Sequence, residues 1–376
     1  MERADVSGLA GTGRWAMRIL QVCESFGGGN FSSVTQICNG LAGRGHEVHL
    51  AYSRRAETPA DFAASLHSDV VLHELRMTRK IDPVVDARAL ISLLALLRRV
   101  DPQVIHLHSS KAGFLGRVAG FLAGRNRASF YSPRGLSFLQ QDVSESRRNL
   151  FRRLEWAAAR LGGTLVACSQ GELDQVRARI APRAALLIEN AVDVAMVPPW
   201  RQRADGKVRI GTAGRISLAR NPRYFAALAQ RLRRAEVEFV WIGGGDEADH
   251  ELLEHSGVSV TGWLPRQEAL ARVSGLDIYV QTSLWEGMPI AVIEAQVAGI
   301  PAVVTDILGN RDIVIDGETG FICHSEDAMV ARLTRLIADP HTRVALGQRS
   351  RELAMNRFSV DRMLDELLAA YSGVAR

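Results

Sequence analysis

At 376 residues the chain is long enough for two domains of ordinary size, and a hydrophobic content of 47% allows each a full core. Its 46 basic against 41 acidic residues leave a net charge of +5, an excess that suits anionic substrates or an anionic membrane surface and is too small to argue for nucleic acid. No zinc-ligand spacing or helix-turn-helix cue occurs, no apolar run approaches the roughly 20 residues of a membrane span, and the start lacks a secretory h-region. The four scattered cysteines, Cys23, Cys38, Cys168 and Cys323, read as reduced thiols of a cytoplasmic protein.

Residues 1–16 show no periodicity and are expected to form a disordered tail; Met17, which opens the first apolar run (to Val22), is a candidate start. Gly27, Gly28 and Gly29 follow at a strand-to-helix turn, a place where backbone approaches something closely, although three consecutive glycines are not the dinucleotide G-x-G-x-x-G. A helix to about Arg44, a strand from Glu47 to Tyr52, a strand from Asp69 to Leu72, a helix from Val84 to Arg99 and a strand from Val104 to His108 continue the alternation. His106 and His108 have no third ligand cluster beside them, so structural or substrate-positioning roles are preferred to a metal. Lys111, at the next helix start, faces either an anionic acceptor or solvent. Ser144 to Leu161 reads as an amphipathic helix with Leu150, Leu154, Ala157, Ala158 and Leu161 as its apolar stripe. Its Arg147, Arg148, Arg152 and Arg153 form either a solvated face or a patch for anionic lipid. Val166 to Ser169 is expected to be the last strand of the first half, and the boundary falls within Leu186 to Lys207, which contains Pro198 and Pro199.

The pattern then restarts. Val208 to Ala213 is a strand, followed by Gly214, Arg215 and, five residues on, Arg220; Phe239 to Ile242 is another, ending in Gly243, Gly244 and Gly245. Leu276 to Gln281 and Pro301 to Thr305 read as buried parallel strands flanking a loop and a helix, with Pro289 suited to the first helical position and Gly299 to the helix end. Glu286 lies at the carboxyl end of a strand, where open α/β sheets bind ligands. Gly287, Met288, Pro289 and Ile290 lead into a helix N-terminus whose free amides attract phosphate. Glu294 sits among Ile290, Val292, Ile293 and Val297, where an unpaired acid is costly, which argues for a partner or a ligand. Eight helical residues separate backbones by about 12 Å. Carboxylates that work as a close acid/base pair stand about 5 to 9.5 Å apart, so the spacing fits two grips on an elongated ligand such as a nucleotide sugar.

The run from Glu286 to Glu294, E-G-M-P-I-A-V-I-E, resembles the E-x7-E signature of the retaining glycosyltransferases of family 4, which adopt the two-domain fold called GT-B. The resemblance spans Met17 to Tyr371, and the H-x-H-S-S-K-A-G stretch from His106 resembles bacterial exopolysaccharide and capsule enzymes of that family. Relatives carry an arginine and a lysine on the donor diphosphate; Arg215 matches the first and Arg220 stands at the second, keeping the charge and adding a bidentate grip. The glycine turn at Gly28 and Gly29 corresponds to one facing the donor phosphates across the cleft, and Trp263 lies on a loop flanking the nucleotide base, either stacking or in the core. At Arg134 relatives commonly place a histidine near the reacting sugar. An arginine cannot act as a base, which leaves phosphate stabilisation or acceptor binding.

The resemblance therefore implies an α/β protein of two Rossmann-like domains facing across a cleft. Residues 17–190 are the expected acceptor domain, 191–207 a linker, 208–355 the nucleotide-sugar domain and 356–376 a helix crossing back. The implied reaction is sugar transfer with retention from a nucleotide sugar, a UDP-sugar favoured over a GDP-sugar, to a lipid-linked or saccharide acceptor of bacterial surface polysaccharide, at the cytoplasmic face of the inner membrane. Glu286, Arg215 and Arg220 are the expected catalytic residues. Glu294, Gly287, Met288, Pro289, Ile290, Gly28, Gly29, Gly214 and Trp263 are the expected donor contacts, and Arg134, Lys111 and His108 the acceptor contacts. No Asp-x-Asp pair is present, and neither metal nor cofactor is expected. A nucleotide-sugar-binding scaffold without catalysis, or an epimerase on the same fold, are the alternatives.

Overall fold

The β-branched runs of the first half assemble, in a computed structural model that describes residues 17–78 and 80–374, into a parallel sheet of seven strands among those residues. The expected tail over residues 1–16 lies outside the described residues. The strands are β1 (Arg18–Phe26), β2 (Glu47–Arg54), β3 (Val71–Glu74), β4 (Val104–His108), β5 (Ser129–Ser132), β6 (Thr164–Ala167) and β7 (Ala184–Leu187), in the order β3-β2-β1-β4-β5-β6-β7. β1 and β4 are almost wholly buried because helices cover both faces. These helices are α1 (Gly28–Gly43), α2 (Pro83–Val100), α3 (Ser110–Leu122), α4 (Glu145–Leu161) and α5 (Gln170–Arg179).

The second half repeats the plan. Strands β8 (Val208–Ala213), β9 (Val237–Ile242), β10 (Val258–Val260), β11 (Ile278–Gln281), β12 (Ala302–Thr305) and β13 (Gly320–Cys323) run in the order β10-β9-β8-β11-β12-β13. They are flanked by α6 (Pro222–Arg231), α7 (Glu247–His255), α8 (Arg266–Ser274), α9 (Ile290–Ala298), α10 (Leu308–Arg311), α11 (Glu326–Ala338) and α12 (Pro340–Arg357). Strand order reverses between β1 and β4 and again between β8 and β11, so each sheet opens a crevice at the carboxyl ends of those strands. The last helix, α13 (Val360–Ser372), returns to the first sheet, burying Leu364, Leu367 and Tyr371 in one core with β1 and α1. Gly40 lets it approach: a Cβ there would stand 2.2 Å from Leu364.

Three expectations are corrected. The first sheet does not end at Val166 to Ser169, because β7 adds an edge strand, Ala184–Leu187, half exposed and too short to separate by pattern from a helical run. Pro289 is extended (φ −72°, ψ 115°) and caps α9 instead of opening it. On α4 the expected stripe holds only in part: Ala158 is buried and Leu154 and Leu161 are half-buried, but the rest of the buried face differs. Leu150 and Ala157 are exposed, while Glu155 and Ala159 are buried. The cause is polar pairing that periodicity does not reveal: Glu155 takes an ion pair from buried Arg117 at 2.6 Å and a hydrogen bond from Tyr131 at 2.7 Å.

Candidate active site

The two crevices face each other, and backbone comes close to backbone where they meet. A Cβ on Gly287 would lie 3.0 Å from the Gly135 nitrogen, and one on Gly309 2.6 Å from the Gly287 carbonyl oxygen, so three glycines stack at the floor of the cleft. Side chains tie the halves together beside them. Gln141 Nε2 donates to Leu284 O (3.0 Å), Asn190 Nδ2 to Met288 O (2.8 Å), and Asp312 accepts from Gly171 N (2.9 Å) at the start of α5. A cavity of about 450 Å³ opens above this floor, lined by Arg134, Arg220, Trp285, Glu286, Asp306 and Arg311 among others.

Glu286 is the centre of that cavity's charge. Its carboxylate accepts from Ser283 Oγ (3.0 Å) and Gln281 Nε2 (3.3 Å) and pairs with Arg220 Nε at 3.0 Å. Burial opposes the Arg220 charge, but Glu286, Tyr279 and Glu294 together outweigh it, so the guanidinium pKa is raised. Gly214, at φ 139°, leaves the room: a Cβ there would stand 3.1 Å from the Arg220 guanidinium. Arg215 is exposed at the end of β8 and forms an ion pair with Glu57, which belongs to the other half of the chain. Across the cleft from these arginines, α1 begins with no side-chain cap on Gly27 and no acid in its first turn, and Gly28 (φ 52°) and Gly29 are exposed with open space around them. Helix-start amides left open in this way attract an anion.

Glu294, only 3% exposed, has its costly charge met by Arg266 at the start of α8. Ile290, the first residue of α9, is half-buried, whereas Met288 and Pro289 are buried and Met288 packs into the second domain's core, so these two offer a ligand backbone at most. Trp263 is not core. It is 60% exposed and lies against the turn of three glycines after β9, where a Cβ on Gly244 would meet the indole at 3.1 Å.

The expected acceptor residues divide. Arg134 lines the cavity, held at φ 53°, and donates to His108 Nδ1 and Asn190 Oδ1, both at 3.2 Å; burial pushes its pKa down. His108 is fully buried, with Nε2 2.7 Å from Gln21 Oε1, so it supports Arg134 from behind and is out of reach of an acceptor. His106 sits beside it between Tyr371 OH (2.5 Å) and Ser132 Oγ (2.8 Å). Burial, with Arg134 nearby, holds both imidazoles well below the usual histidine range and hence neutral. Lys111 is not free to meet an acceptor in this structure, being tied to Asp86 (2.6 Å) and the Lys80 carbonyl (2.5 Å). Among the described residues no group of three or more His, Cys, Asp or Glu is arranged to hold a metal.

Several residues of the cleft carried no sequence signal. Glu57 comes from a loop, and Gln281 ends a strand whose pattern reads as core. Arg311 and Asp306 form an ion pair, which, with His324 at 2.6 Å from Asp306, lowers the Asp306 pKa.

Comparison with known proteins meets this geometry on both sides of the cleft. The model described as Glycosyltransferase Family 4 matches residues 27–196, and that described as Glycosyl transferases group 1 matches residues 200–353. The chain belongs to glycosyltransferase family 4. Among the relatives of this glycosyltransferase is a UDP-Gal:α-D-GlcNAc-diphosphoundecaprenol α-1,3-galactosyltransferase of Escherichia coli, 28% identical over 323 residues, covering 78% of this chain and 81% of the relative. A GDP-mannose-dependent α-mannosyltransferase of Mycolicibacterium smegmatis is 27% identical over 384 residues, covering 95% and 98%. Anabaena HepE, solved with UDP and glucose, superposes with a TM-score of 0.77 at 16% identity over 95% of this chain and 100% of that one, a likeness of the GT-B fold.

Proposed function

We propose that this family 4 glycosyltransferase moves a hexose from a nucleotide sugar to a lipid-linked or saccharide acceptor of bacterial surface polysaccharide, with retention of anomeric configuration and without a metal. The observation that carries the reading is the pairing of Arg220 with Glu286 in the cavity, beside exposed Arg215 and opposite the open α1 amides. As the bond to the diphosphate breaks, negative charge grows on the leaving group, and fixed positive groups help most at that moment. Two arginines and helix-start amides supply what a divalent ion supplies elsewhere. Retention is supported by relatives named for α-linked products, because an α-product from an α-linked donor keeps its configuration. A UDP-sugar is the first donor to test, with GDP-mannose as the comparison.

Binding of a nucleoside diphosphate is expected to require Arg215 and Arg220 and to be indifferent to chelator. Loss of one charge-assisted contact weakens it by about 1.5 to 3 kcal/mol. Titration calorimetry of both alanine variants, with and without EDTA, decides this. Normal binding by both variants, or loss of binding with chelator, removes the phosphate assignment.

A second expectation concerns the membrane. No described helix is long and apolar enough to cross one. The outward face of α4 nonetheless combines exposed Leu150 and Trp156 with Arg152, Arg153 and Arg160, and Arg160 stacks over Trp156 at 3.8 Å; Phe121 and Leu122, ending the adjacent α3, are exposed too. Of the four arginines expected to dock, Arg148 is half-buried and contributes least. Each charge near an anionic surface contributes about 1 kcal/mol. Co-sedimentation with anionic vesicles should therefore fall with rising salt and with Arg152→Glu/Arg153→Glu. Equal sedimentation with neutral vesicles at low salt removes the basic patch from the account.

A further inference from the structure

Glu57 belongs to neither sheet and carries no role in the mechanism above, yet it supplies the ion-pair partner of Arg215 from across the cleft. The turn that presents it is built firmly. Thr58 N donates to Arg55 O (3.0 Å), Arg55 N donates back to Thr58 Oγ1 (2.8 Å), and the Thr58 hydroxyl bonds the Phe26 carbonyl at the end of β1. Arg55 is in turn paired with Glu24, which is 5% exposed and accepts from Ser109 Oγ at 3.1 Å. This turn lies directly against the uncapped start of α1: a Cβ on Gly27 would meet the Glu57 Cβ at 3.2 Å. Glu57 thus packs at its Cβ against the start of α1 and places its carboxylate on Arg215, the side chain that the mechanism assigns to phosphate.

We propose that Glu57 is a positioning residue that holds the place of the donor diphosphate. In the donor-free enzyme its carboxylate occupies Arg215, keeps that flexible side chain aimed into the cleft and joins the two domains. The incoming diphosphate takes over Arg215 and releases Glu57. Two consequences follow from charge alone. Arg215 is not left to find other partners while the site is empty, and each binding event must displace an ion pair, which weakens affinity for donor and for the nucleotide product alike. Release of the nucleotide is assisted in the same way, because the carboxylate is tethered nearby and returns to the arginine as the phosphate leaves.

The proposal rests on Arg215 being a diphosphate ligand, and titration calorimetry with UDP and GDP on the parent, Glu57→Gln, Arg215→Ala and the double variant separates the two ideas. Glu57→Gln is expected to tighten nucleoside diphosphate binding by about two- to fivefold, the range of a partly exposed ion pair. Arg215→Ala should weaken it, and adding Glu57→Gln to Arg215→Ala should change nothing more, since Glu57 acts through Arg215. In steady-state kinetics Glu57→Gln should lower the donor KM and raise kcat/KM. A purely structural contact, once broken, gives no gain in affinity. If Arg215→Ala binds like the parent, the phosphate reading itself fails and this proposal with it. If Arg215→Ala weakens binding while Glu57→Gln leaves it unchanged or weaker, or lowers kcat/KM, the phosphate reading stands and the role of Glu57 is overturned.

Discussion

Glu286→Gln is expected to lower kcat by about 10²- to 10³-fold, the effect of removing a single preorganised charge from a transition state, while free nucleoside diphosphate still binds. Three neighbours hold the carboxylate in one position, Ser283 and Gln281 through hydrogen bonds and Arg220 through its ion pair, so the side chain meets the sugar without first having to reorganise. Glutamine preserves the shape and loses the charge. Contacts to sugar hydroxyls that strengthen as the anomeric carbon becomes positive are lost with it, and such a loss appears in kcat and kcat/KM together. Arg220, relieved of its partner, keeps its charge for the phosphates, so the nucleotide affinity is expected to hold or rise. Steady-state kinetics paired with calorimetry on the same preparation reads both quantities. A Glu286→Gln enzyme with parental kcat would sink the role assigned to this residue.

What the sequence revealed and what it hid follow from the range of each interaction. Strand-helix alternation is local, so β1, β2, β4, β8, β9, β11 and β12 were readable from short β-branched runs, and Glu286 from its place at a strand's carboxyl end. β5 (S-F-Y-S) and β7 (A-A-L-L) contain no Val, Ile or Thr and so lacked the β-branched run that marks the others. Part of the buried face of α4 stays hidden because a buried carboxylate, Glu155, looks polar until Arg117, 38 residues away, is known to meet it. The same holds in the cleft. Arg220 is legible from local spacing and the family resemblance, whereas its partnership with Glu286, and that of Arg215 with Glu57, join residues distant in sequence. At a strand's end His106 and His108 read as structural or substrate-positioning groups, and the family resemblance adds His108 to the acceptor contacts. The helix that buries His106 under Tyr371 comes from the opposite end of the chain, 265 residues on. Polar partners distant in sequence are therefore the information that the sequence withheld.

Glu294 answers to a different test, and its variant should behave unlike that of Glu286. The carboxylate is buried in the middle of α9, paired with Arg266, whose side chain is 40% exposed and belongs to the helix that follows the Trp263 loop. If that carboxylate grips the ribose, the contact is equally present in donor, transition state and nucleotide product. Its removal then raises the donor KM and the nucleoside diphosphate Kd by the same factor and leaves kcat nearly unchanged. A hydrogen bond to a charged group contributes about 1.5 to 3 kcal/mol, so Glu294→Gln is expected to weaken both by roughly ten- to a hundredfold. Arg266→Ala gives a control on the same pair: it strands a buried anion that is otherwise compensated, and it should lower thermal stability more than Glu294→Gln, which removes the charge altogether. Calorimetry with a nucleoside diphosphate and with the bare nucleobase sharpens the assignment, because the base carries no ribose and its weaker binding should not change in Glu294→Gln. A Glu294→Gln enzyme that loses kcat while binding nucleotide normally would move this residue from the ribose to the reacting sugar.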